Sequence, residues 1–246
     1  MSASVIVVIP IYKTQLDILE RQGLDYSLTK LSAKKVLFIG PSCLDRGFYQ
    51  ETYPELEFVA FDDECFASIA GYNRLLLSES FYQRFAEDEF LLILQTDAII
   101  LRDDLDYWCA QPFDYIGAPW PDGVEVYLNL GRFLGDKGKR VRAIVGNGGL
   151  SLRRIKKCIA LLHEFPEAVD VFIRSGSNED LFFSLMGLVS NDFLLPNEIT
   201  ASRFATEIKP SYYYSVNGEV VPMGGHAWTL YEKDFWLAHM ELPNVN

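Results

Sequence analysis

The sequence has 246 residues, of which 49% are hydrophobic, 23% charged and 14% aromatic, which favours one folded domain over residues 1–246 and excludes a disordered or repetitive chain. Its net charge of −12 at neutral pH argues against nucleic acid and anionic membranes as partners. Its four cysteines are scattered without a C-x-x-C pair, which indicates reduced thiols in a cytoplasmic protein.

The start of the sequence has neither the pattern of a signal peptide nor that of a membrane span. Residues 1–4 lack a cationic stretch, and the apolar run of residues 5–9 ends at Pro10, which makes it too short to cross a membrane. We therefore expect a cytoplasmic protein without a transmembrane segment.

Four short runs of aliphatic and aromatic residues have the pattern of strands in a buried parallel sheet. They cover residues 5–11, 36–39, 58–61 and 90–94. Helical spacing of apolar residues at 15–31 and 65–85 separates them. This alternation predicts a Rossmann-like α/β fold, with a mostly parallel central sheet flanked by helices.

Residues 107–149 are rich in proline and glycine, which predicts mostly loop and short strand. A long irregular insertion of this kind is usually functional. It contains a basic cluster that could meet a phosphate or form a solvated loop. The cluster consists of Lys137, Lys139, Arg140 and Arg142. Beyond the insertion we predict helices at residues 152–165, 179–189 and 231–240.

Polar residues follow three of the predicted strands, where ligands bind in open α/β sheets. Pro10 and Tyr12 come at the end of the first strand, and acidic residues 62–64 follow the third. Gln95 and Asp97 follow the fourth. The sequence has no G-x-G-x-x-G after the first strand and no G-x-x-x-x-G-K-[ST], which argues against dinucleotide oxidoreductases and P-loop enzymes.

The segment after the fourth strand, Gln95-Thr96-Asp97, resembles the strand-end D-x-D motif of GT-A-fold glycosyltransferases. The resemblance implies that Asp97 binds a divalent metal that also holds the donor diphosphate. Mn²⁺ and Mg²⁺ prefer oxygen ligands and bridge phosphate oxygens, so a strand-end carboxylate suits this role. Gln95 stands where the motif has its first Asp, a departure that bears on metal affinity. A turn or helix-capping aspartate is the alternative interpretation of Asp97.

Residues 70–77 resemble the G-x-x-N-R helix start that contacts the donor nucleotide in related galactosyltransferases. The resemblance implies that Asn73 and Arg74 bind the nucleotide, together with Pro10 and Tyr12. A guanidinium can bind phosphate through two parallel hydrogen bonds. The alternative for Arg74 is an ordinary surface arginine.

The glycine-rich residues 145–153 resemble the Gly-Gly-x-Ser segment of the same enzymes. The resemblance implies that Gly148 and Gly149 bring the backbone close to the donor sugar, where side chains have no room. A hairpin turn is the alternative.

An acidic pair, Glu179 and Asp180, begins a predicted apolar helix and resembles the E-D motif that supplies the general base of inverting transferases. The resemblance implies that Asp180 deprotonates the acceptor hydroxyl and that Glu179 orients the acceptor. Acidic residues are also favoured in any first helical turn, so a structural role is the alternative.

His226 lies in a glycine-rich stretch near the end of the sequence. Several GT-A families use a late histidine as a second metal ligand, and residues 223–228 loosely resemble such a segment of glycogenin-like enzymes. The resemblance implies that His226 binds the metal, and an imidazole suits Mn²⁺ better than Mg²⁺. We assign no role to His163 and His239, which lie in predicted helices.

Over residues 81–228 the chain is most similar to a group of largely uncharacterised bacterial glycosyltransferase-like proteins, with residues 114–120 as the most specific shared string. Within it, Trp120 is either a platform for a sugar ring or a core residue. The resemblance implies a hexosyltransferase-like enzyme of bacterial polysaccharide biosynthesis. It would move a sugar from a nucleotide-sugar donor to a glycan, lipid-linked or protein acceptor, with inversion. A sugar-phosphate nucleotidyltransferase and a non-catalytic scaffold of a polysaccharide-assembly complex are the alternatives.

Overall fold

The computed structural model describes residues 3–128 and 139–240. Its strands are β1 (Val5–Pro10), β2 (Lys35–Pro41), β3 (Glu57–Phe61), β4 (Phe90–Leu94), β5 (Ile99–Ile100), β6 (Tyr115–Leu128), β7 (Lys139–Arg154), β8 (Ala205–Thr206) and β9 (Gly224–Gly225). Its helices are α1 (Ile18–Lys30), α2 (Gly47–Thr52), α3 (Ile69–Leu76), α4 (Glu79–Gln83), α5 (Leu105–Cys109), α6 (Ile155–Glu164), α7 (Pro166–Ser175), α8 (Glu179–Val189), α9 (Glu198–Phe204), α10 (Pro210–Val216) and α11 (Lys233–His239).

A six-stranded sheet forms the centre of the fold, in the order β3-β2-β1-β4-β7-β6. The first four strands of this order are parallel, whereas β7 runs antiparallel to both β4 and β6. A second sheet has the order β5-β9-β8. The predicted α/β fold, with a mostly parallel central sheet flanked by helices, is confirmed.

Both faces of the central sheet are buried, because successive side chains of a strand point to opposite sides. In β4, Leu91 and Ile93 join the core on the side of α3, α4, α6 and α8. Leu92 and Leu94 join the core on the side of α1 and α5. Burying each such side chain contributes about 1.5–3 kcal/mol, which explains why strands apolar on both faces form the middle of the sheet.

The predicted helix over residues 65–85 is wrong as a single element. The structure divides it into a 3₁₀ turn at Asp63–Cys65 followed by α3 and α4. Ser68 caps α3 by accepting a hydrogen bond from the backbone N–H of Gly71 (3.1 Å), and Ser78 caps α4 in the same way. A serine that caps a new helix interrupts the previous one, although the spacing of apolar residues continues across the break.

The predicted irregular insertion at residues 107–149 is also wrong in its main part. It contains the end of α5, all of β6 and most of β7, and the two strands form a long antiparallel pair. Gly117 pairs with Ser151, but the next residue, Ala118, pairs with Asn147, so residues 148–150 have no partner in β6. The glycine-rich segment is therefore a bulge inside a strand, and the alternative of a hairpin turn is wrong. Bulges of this kind explain how so many glycines and prolines fit into strands.

Other predicted helices differ in how well they match the structure. The helix predicted at 179–189 is confirmed as α8. The helix predicted from residue 152 begins only at Ile155, because the preceding residues belong to β7, and α2, α5, α7, α9 and α10 were not predicted. Within residues 3–128 and 139–240, no helix is long and apolar enough to cross a membrane.

The hydroxyl of Ser27, in α1, joins the smaller sheet to the rest of the fold. This side chain is fully buried, donates a hydrogen bond to the carbonyl of Gly23 (2.7 Å), and accepts one from the backbone N–H of Ile100 in β5 (2.9 Å). Because β5 pairs with β9, this bond also supports the segment that leads to His226.

We predict that Ser27→Ala lowers the free energy of unfolding by about 1–3 kcal/mol, because it leaves the buried N–H of Ile100 without an acceptor. Thr29→Ala is the matched control, since Thr29 lies in the same helix and its exposed hydroxyl bonds only to the carbonyl of Tyr26. Urea denaturation of both variants measures the difference. Equal stability of the two variants would contradict a supporting role for Ser27.

Candidate functional site

A cavity of about 560 Å³ opens beyond the carboxyl ends of β1 and β4, where ligands bind in open α/β sheets. It brings together most of the residues that the sequence singles out. The predicted residues that line it are Pro10, Tyr12, Asn73, Gln95, Asp97, Gly148, Gly149, Glu179, Asp180 and His226. The predicted nucleotide ligand Arg74 is exposed on α3 and is not part of this lining.

Asp97 and His226 meet at one wall of the cavity. Nε2 of His226 lies 3.3 Å from Oδ1 of Asp97 and 3.1 Å from Oε1 of Gln95. The segment that contains Gln95 is anchored to β7, because its backbone N–H donates to the carbonyl of Gly149 (2.9 Å). The contact between a strand-end carboxylate and a late histidine is therefore present, as the resemblance implies.

The backbone around His226 is tightly constrained. A Cβ atom on Gly149 would lie 2.2 Å from Nε2 and Cδ2 of His226, so the imidazole occupies the space that a side chain would need. The N–H of His226 donates to the carbonyl of Thr206 (3.0 Å), which continues the pairing of β8 with β9. Ala227 follows with φ of 48°, a left-handed conformation that costs about 1–3 kcal/mol outside glycine and persists only where surrounding structure enforces it.

His226 also contacts a carboxylate that the sequence analysis missed. Its Nδ1 lies 3.2 Å from Oε1 of Glu207, which follows β8. Burial lowers the pKa of His226, but the hydrogen bonds and charges of Asp97 and Glu207 outweigh burial and raise this pKa to about 9. Burial likewise raises the pKa of Asp97, and His226 outweighs that effect and lowers it. Asp97, His226 and Glu207 thus form an ion-paired row.

The atoms at this wall fit a divalent metal ion that is shared with a ligand. Asp97 offers a carboxylate oxygen, Gln95 a carbonyl oxygen and His226 an imidazole nitrogen, a mixed set that suits Mn²⁺. In the part of the chain that the structure describes, no three His, Cys, Asp or Glu side chains form a complete metal-binding cluster. Further ligands would have to come from substrate, as is usual where metals bridge phosphates.

The carboxylate of Glu179 lines the cavity and is held in a buried ion pair. Its Oε1 accepts a hydrogen bond from Nη2 of Arg153 (2.7 Å), whose side chain is fully buried. The same guanidinium also donates to the hydroxyls of Tyr82 (3.0 Å) and Ser151 (3.1 Å). Breaking such a buried ion pair typically costs about 3–5 kcal/mol, so this pair stabilises the fold. The sequence analysis did not identify Arg153 as the partner of Glu179. β7 contains four arginines, so the sequence alone does not indicate which of them is buried.

Asp180 lies beside this pair and is only half-buried. Its Oδ2 accepts a hydrogen bond from the N–H of Gly148 (3.1 Å) and its Oδ1 one from the N–H of Leu181 (2.6 Å). Asp180 therefore bonds both to the bulge in β7 at the cavity and to its own helix. These contacts are compatible with a catalytic role as well as with a structural role in the first helical turn. Loss of hydration and the nearby charge of Glu179 raise its pKa to about 7.

The remaining predicted residues have partners that limit what they can do. Asn73 is buried, donates to the side chain of Asn178 (3.2 Å) and accepts from the N–H of Glu179 (3.4 Å), so it holds the start of α8. Trp120 is half-buried against the core, consistent with the core interpretation.

The two arginines of the predicted basic cluster do not line the cavity. Arg140 pairs with Glu125 (3.0 Å), and Arg142 donates to the carbonyl of Asp122 (2.6 Å). Lys137 and the side chain of Lys139 lie outside the described residues.

Solved glycosyltransferase structures share this fold. The galactosyltransferase LgtC, in complex with donor and acceptor sugar analogs, aligns with a TM-score of 0.58 at 14% identity over 97% of this chain and 98% of that one. Apo mouse xyloside xylosyltransferase 1 aligns with a TM-score of 0.53 at 12% identity over 89% and 96%. Apo GlyE of Streptococcus pneumoniae TIGR4 aligns with a TM-score of 0.52 at 14% identity over 98% of this chain and 61% of that one. The fold is thus that of GT-A glycosyltransferases.

The sequence itself matches a family whose description assigns no activity. Residues 55–226 match the family described as "Protein of unknown function (DUF5672)", and the chain belongs to this family. No curated protein matches the sequence. The matched region ends at His226 and includes the residues of the cavity wall from Phe66 onwards.

We predict that Asp180 makes stability depend on pH. Its pKa of about 7 lies above the ordinary value of 3.8, so the folded state prefers the protonated carboxyl and its stability falls as pH rises from about 4 to 7. Asp180→Asn should gain about 3 kcal/mol relative to the wild type between pH 5 and pH 8, at about 1.4 kcal/mol per pH unit below the folded pKa.

Urea denaturation at the two pH values measures this gain. Asp170→Asn is the control, because Asp170 is an exposed carboxylate on α7. If the wild type and Asp180→Asn lose stability equally between pH 5 and pH 8, the carboxyl is not held in its protonated form.

Proposed function

We propose that this protein is a metal-dependent glycosyltransferase that moves a sugar from a nucleotide-diphosphate sugar to a glycan, lipid-linked or protein acceptor. The observation that best supports the proposal is the contact between Asp97 and His226 (3.3 Å) in the cavity that also contains Asp180. The fold shared with galactosyl- and xylosyltransferases agrees with it.

The charge of the cavity is the reason for including a divalent cation. Glu20 and Asp97 line the cavity in ion pairs with Lys13 (2.7 Å) and His226 (3.3 Å). Among the described residues that line the cavity, there is no lysine or arginine to neutralise a diphosphate. We assign Asp97 and His226 as ligands of Mn²⁺ or Mg²⁺, with Gln95 beside them. Bound there, the cation would stabilise the negative charge that develops on the departing nucleoside diphosphate.

We assign the general base of an inverting transfer to Asp180. A base works best when its pKa is close to the working pH, and the pKa of Asp180 is about 7. The N–H of Gly148 holds one of its oxygens, which fixes the carboxyl at the cavity wall. Glu179 is paired with Arg153, and we assign it the role of raising the pKa of Asp180 by its charge instead of that of holding the acceptor.

The nucleotide would lie against Pro10 and Tyr12 at the end of β1. Tyr12 is 59% exposed and lines the cavity, so its ring is available for stacking on a base. Gly148 and Gly149 expose backbone at the cavity wall, where a sugar can approach closely. A hexose donor and a cytoplasmic role in bacterial polysaccharide biosynthesis complete the proposal.

We predict that Asp97→Asn weakens Mn²⁺-dependent binding of a nucleoside diphosphate at least tenfold, on the order of 1.4 kcal/mol, because an amide is a poorer ligand than a carboxylate. Isothermal titration calorimetry with UDP and with GDP, in the presence and absence of Mn²⁺, measures the effect. His226→Ala should act in the same direction, and Asp170→Asn should leave binding unchanged. Wild-type affinity in a folded Asp97→Asn variant would remove the metal site from the proposal.

Donor hydrolysis distinguishes the proposed function from its two alternatives. A glycosyltransferase slowly releases free sugar from the correct nucleotide sugar in the presence of Mn²⁺. A sugar-phosphate nucleotidyltransferase instead converts the nucleotide sugar and added inorganic diphosphate into a nucleoside triphosphate and a sugar 1-phosphate, and a scaffold does neither. A panel of UDP-, GDP- and dTDP-sugars, incubated with and without inorganic diphosphate and followed by chromatography, tests all three.

We predict that Asp180→Asn lowers the turnover number about 10²–10⁴-fold and leaves donor affinity near the wild-type value, because the lost proton transfer acts in the transition state. Steady-state kinetics with the donor identified by the panel measures both quantities. Proton NMR of the glycosidic product reports its anomeric configuration. Retention of configuration, or full turnover in the variant, would exclude Asp180 as an inverting base.

A further inference from the structure

We infer that Glu207 is a positioning residue that fixes the imidazole of His226 with Nε2 directed at the metal site. The inference rests on the proposed function, because it concerns how this chain prepares a ligand for the cation. It adds to that function a residue that no motif of the sequence indicates.

The contacts of His226 divide between its two ring nitrogens. Nε2 faces Asp97 (3.3 Å) and Gln95 (3.1 Å) at the cavity, while Nδ1 faces Oε1 of Glu207 (3.2 Å). The Nδ1 atom is buried, and its contact with Glu207 has the distance of an ion pair without the alignment of a hydrogen bond. A carboxylate only accepts, so the neutral ring that best satisfies this buried atom has its proton on Nδ1. That tautomer leaves the lone pair of Nε2 free for a metal.

Glu207 is itself held by a hydrogen-bond relay that starts in the bulge of β7. The N–H of Gly149 donates to Oδ1 of Asn147 (3.2 Å), which fixes the orientation of that amide. Its Nδ2 therefore points to Oε2 of Glu207 and donates to it (2.8 Å). Each group in this relay therefore has a defined role as donor or acceptor, and the last group in the relay is Nδ1 of His226.

The backbone keeps Glu207 and His226 in register. Thr206 of β8 pairs with Gly225 of β9. Glu207 and His226 directly follow these two residues, so they lie side by side. The side chains of Glu207 and His226 are only 13% and 14% exposed, so neither is free to turn into solvent. A long carboxylate at this position is thus directed to the ring and not to the ligand space.

The relay also predicts what an isosteric change would do. In Glu207→Gln, the amide of Asn147 still presents its NH₂ group, so the carbonyl oxygen of Gln must face it. The NH₂ of Gln then faces Nδ1, which becomes an acceptor and moves the ring proton to Nε2. The variant keeps the shape of the site and blocks the nitrogen that would bind the metal.

The double variant Asn147→Asp/Glu207→Gln exchanges the carboxylate and the amide. The new carboxylate accepts from the N–H of Gly149 and from the NH₂ of Gln, whose carbonyl oxygen then faces Nδ1. The relay again favours a proton on Nδ1, with the same net charge as in the wild type. A merely structural role for Glu207 does not predict this rescue.

The test measures Mn²⁺ alone, with the free ion quantified by electron paramagnetic resonance during titration of the full chain. Loss of a partner of this kind typically weakens metal affinity 10–100-fold. We expect that loss for Glu207→Gln, recovery of most of it in the double variant, and wild-type affinity in Glu167→Gln, an exposed carboxylate on α7. Thermal unfolding of each variant confirms that it is folded at the assay temperature.

The outcomes separate this inference from the proposed function. If the wild type binds Mn²⁺ and folded Glu207→Gln binds it equally, the positioning role is overturned and the metal site stands. If Glu207→Gln loses affinity and the double variant does not recover any, the tautomer relay is overturned. If the wild type binds no Mn²⁺ and Asp97→Asn does not alter nucleotide binding, both the inference and the metal-dependent function fail.

Discussion

The contact between Gly149 and the ring of His226 is the constraint on which the rest of the site depends. Any side chain at residue 149 would overlap the imidazole, whose Nε2 and Cδ2 lie 2.2 Å from the position of a Cβ. The carbonyl of the same residue accepts the N–H of Gln95 (2.9 Å). One glycine in the bulge of β7 thus joins the segment after β4 to the segment after β9, and Asp97 meets His226 there.

The two members of the acidic pair at the start of α8 differ because only one of them has a cationic partner. Arg153 binds Glu179 in a fully buried ion pair (2.7 Å) and rests over the rings of Tyr115 and Phe183. Asp180, next to it, has no such partner: loss of hydration and the charge of Glu179 raise its pKa to about 7, although the N–H groups of Gly148 and Leu181 act in the opposite direction. Neighbouring carboxylates in different environments can take distinct roles at one site.

Two irregular backbone features lie next to the contact between Asp97 and His226. The bulge at residues 148–150 removes three residues from the ladder with β6, and Ala227 has a positive φ directly after His226. Such features persist only where surrounding contacts enforce them, and they cluster at binding sites. The short second sheet, which is linked to α1 through Ser27, supplies part of this enforcement.

The sequence by itself determined the parallel core and the residues at its edge. Apolar runs buried on both faces identify strands, and ligand-binding residues follow such strands directly, so Asp97 was predictable from local pattern and family resemblance. Only the tertiary structure decided which partners each side chain has. Arg74 turned out to be exposed, Glu179 to be paired with Arg153, and Glu207 to face His226. These contacts join residues far apart in the chain, and local periodicity contains no information about distances between distant segments.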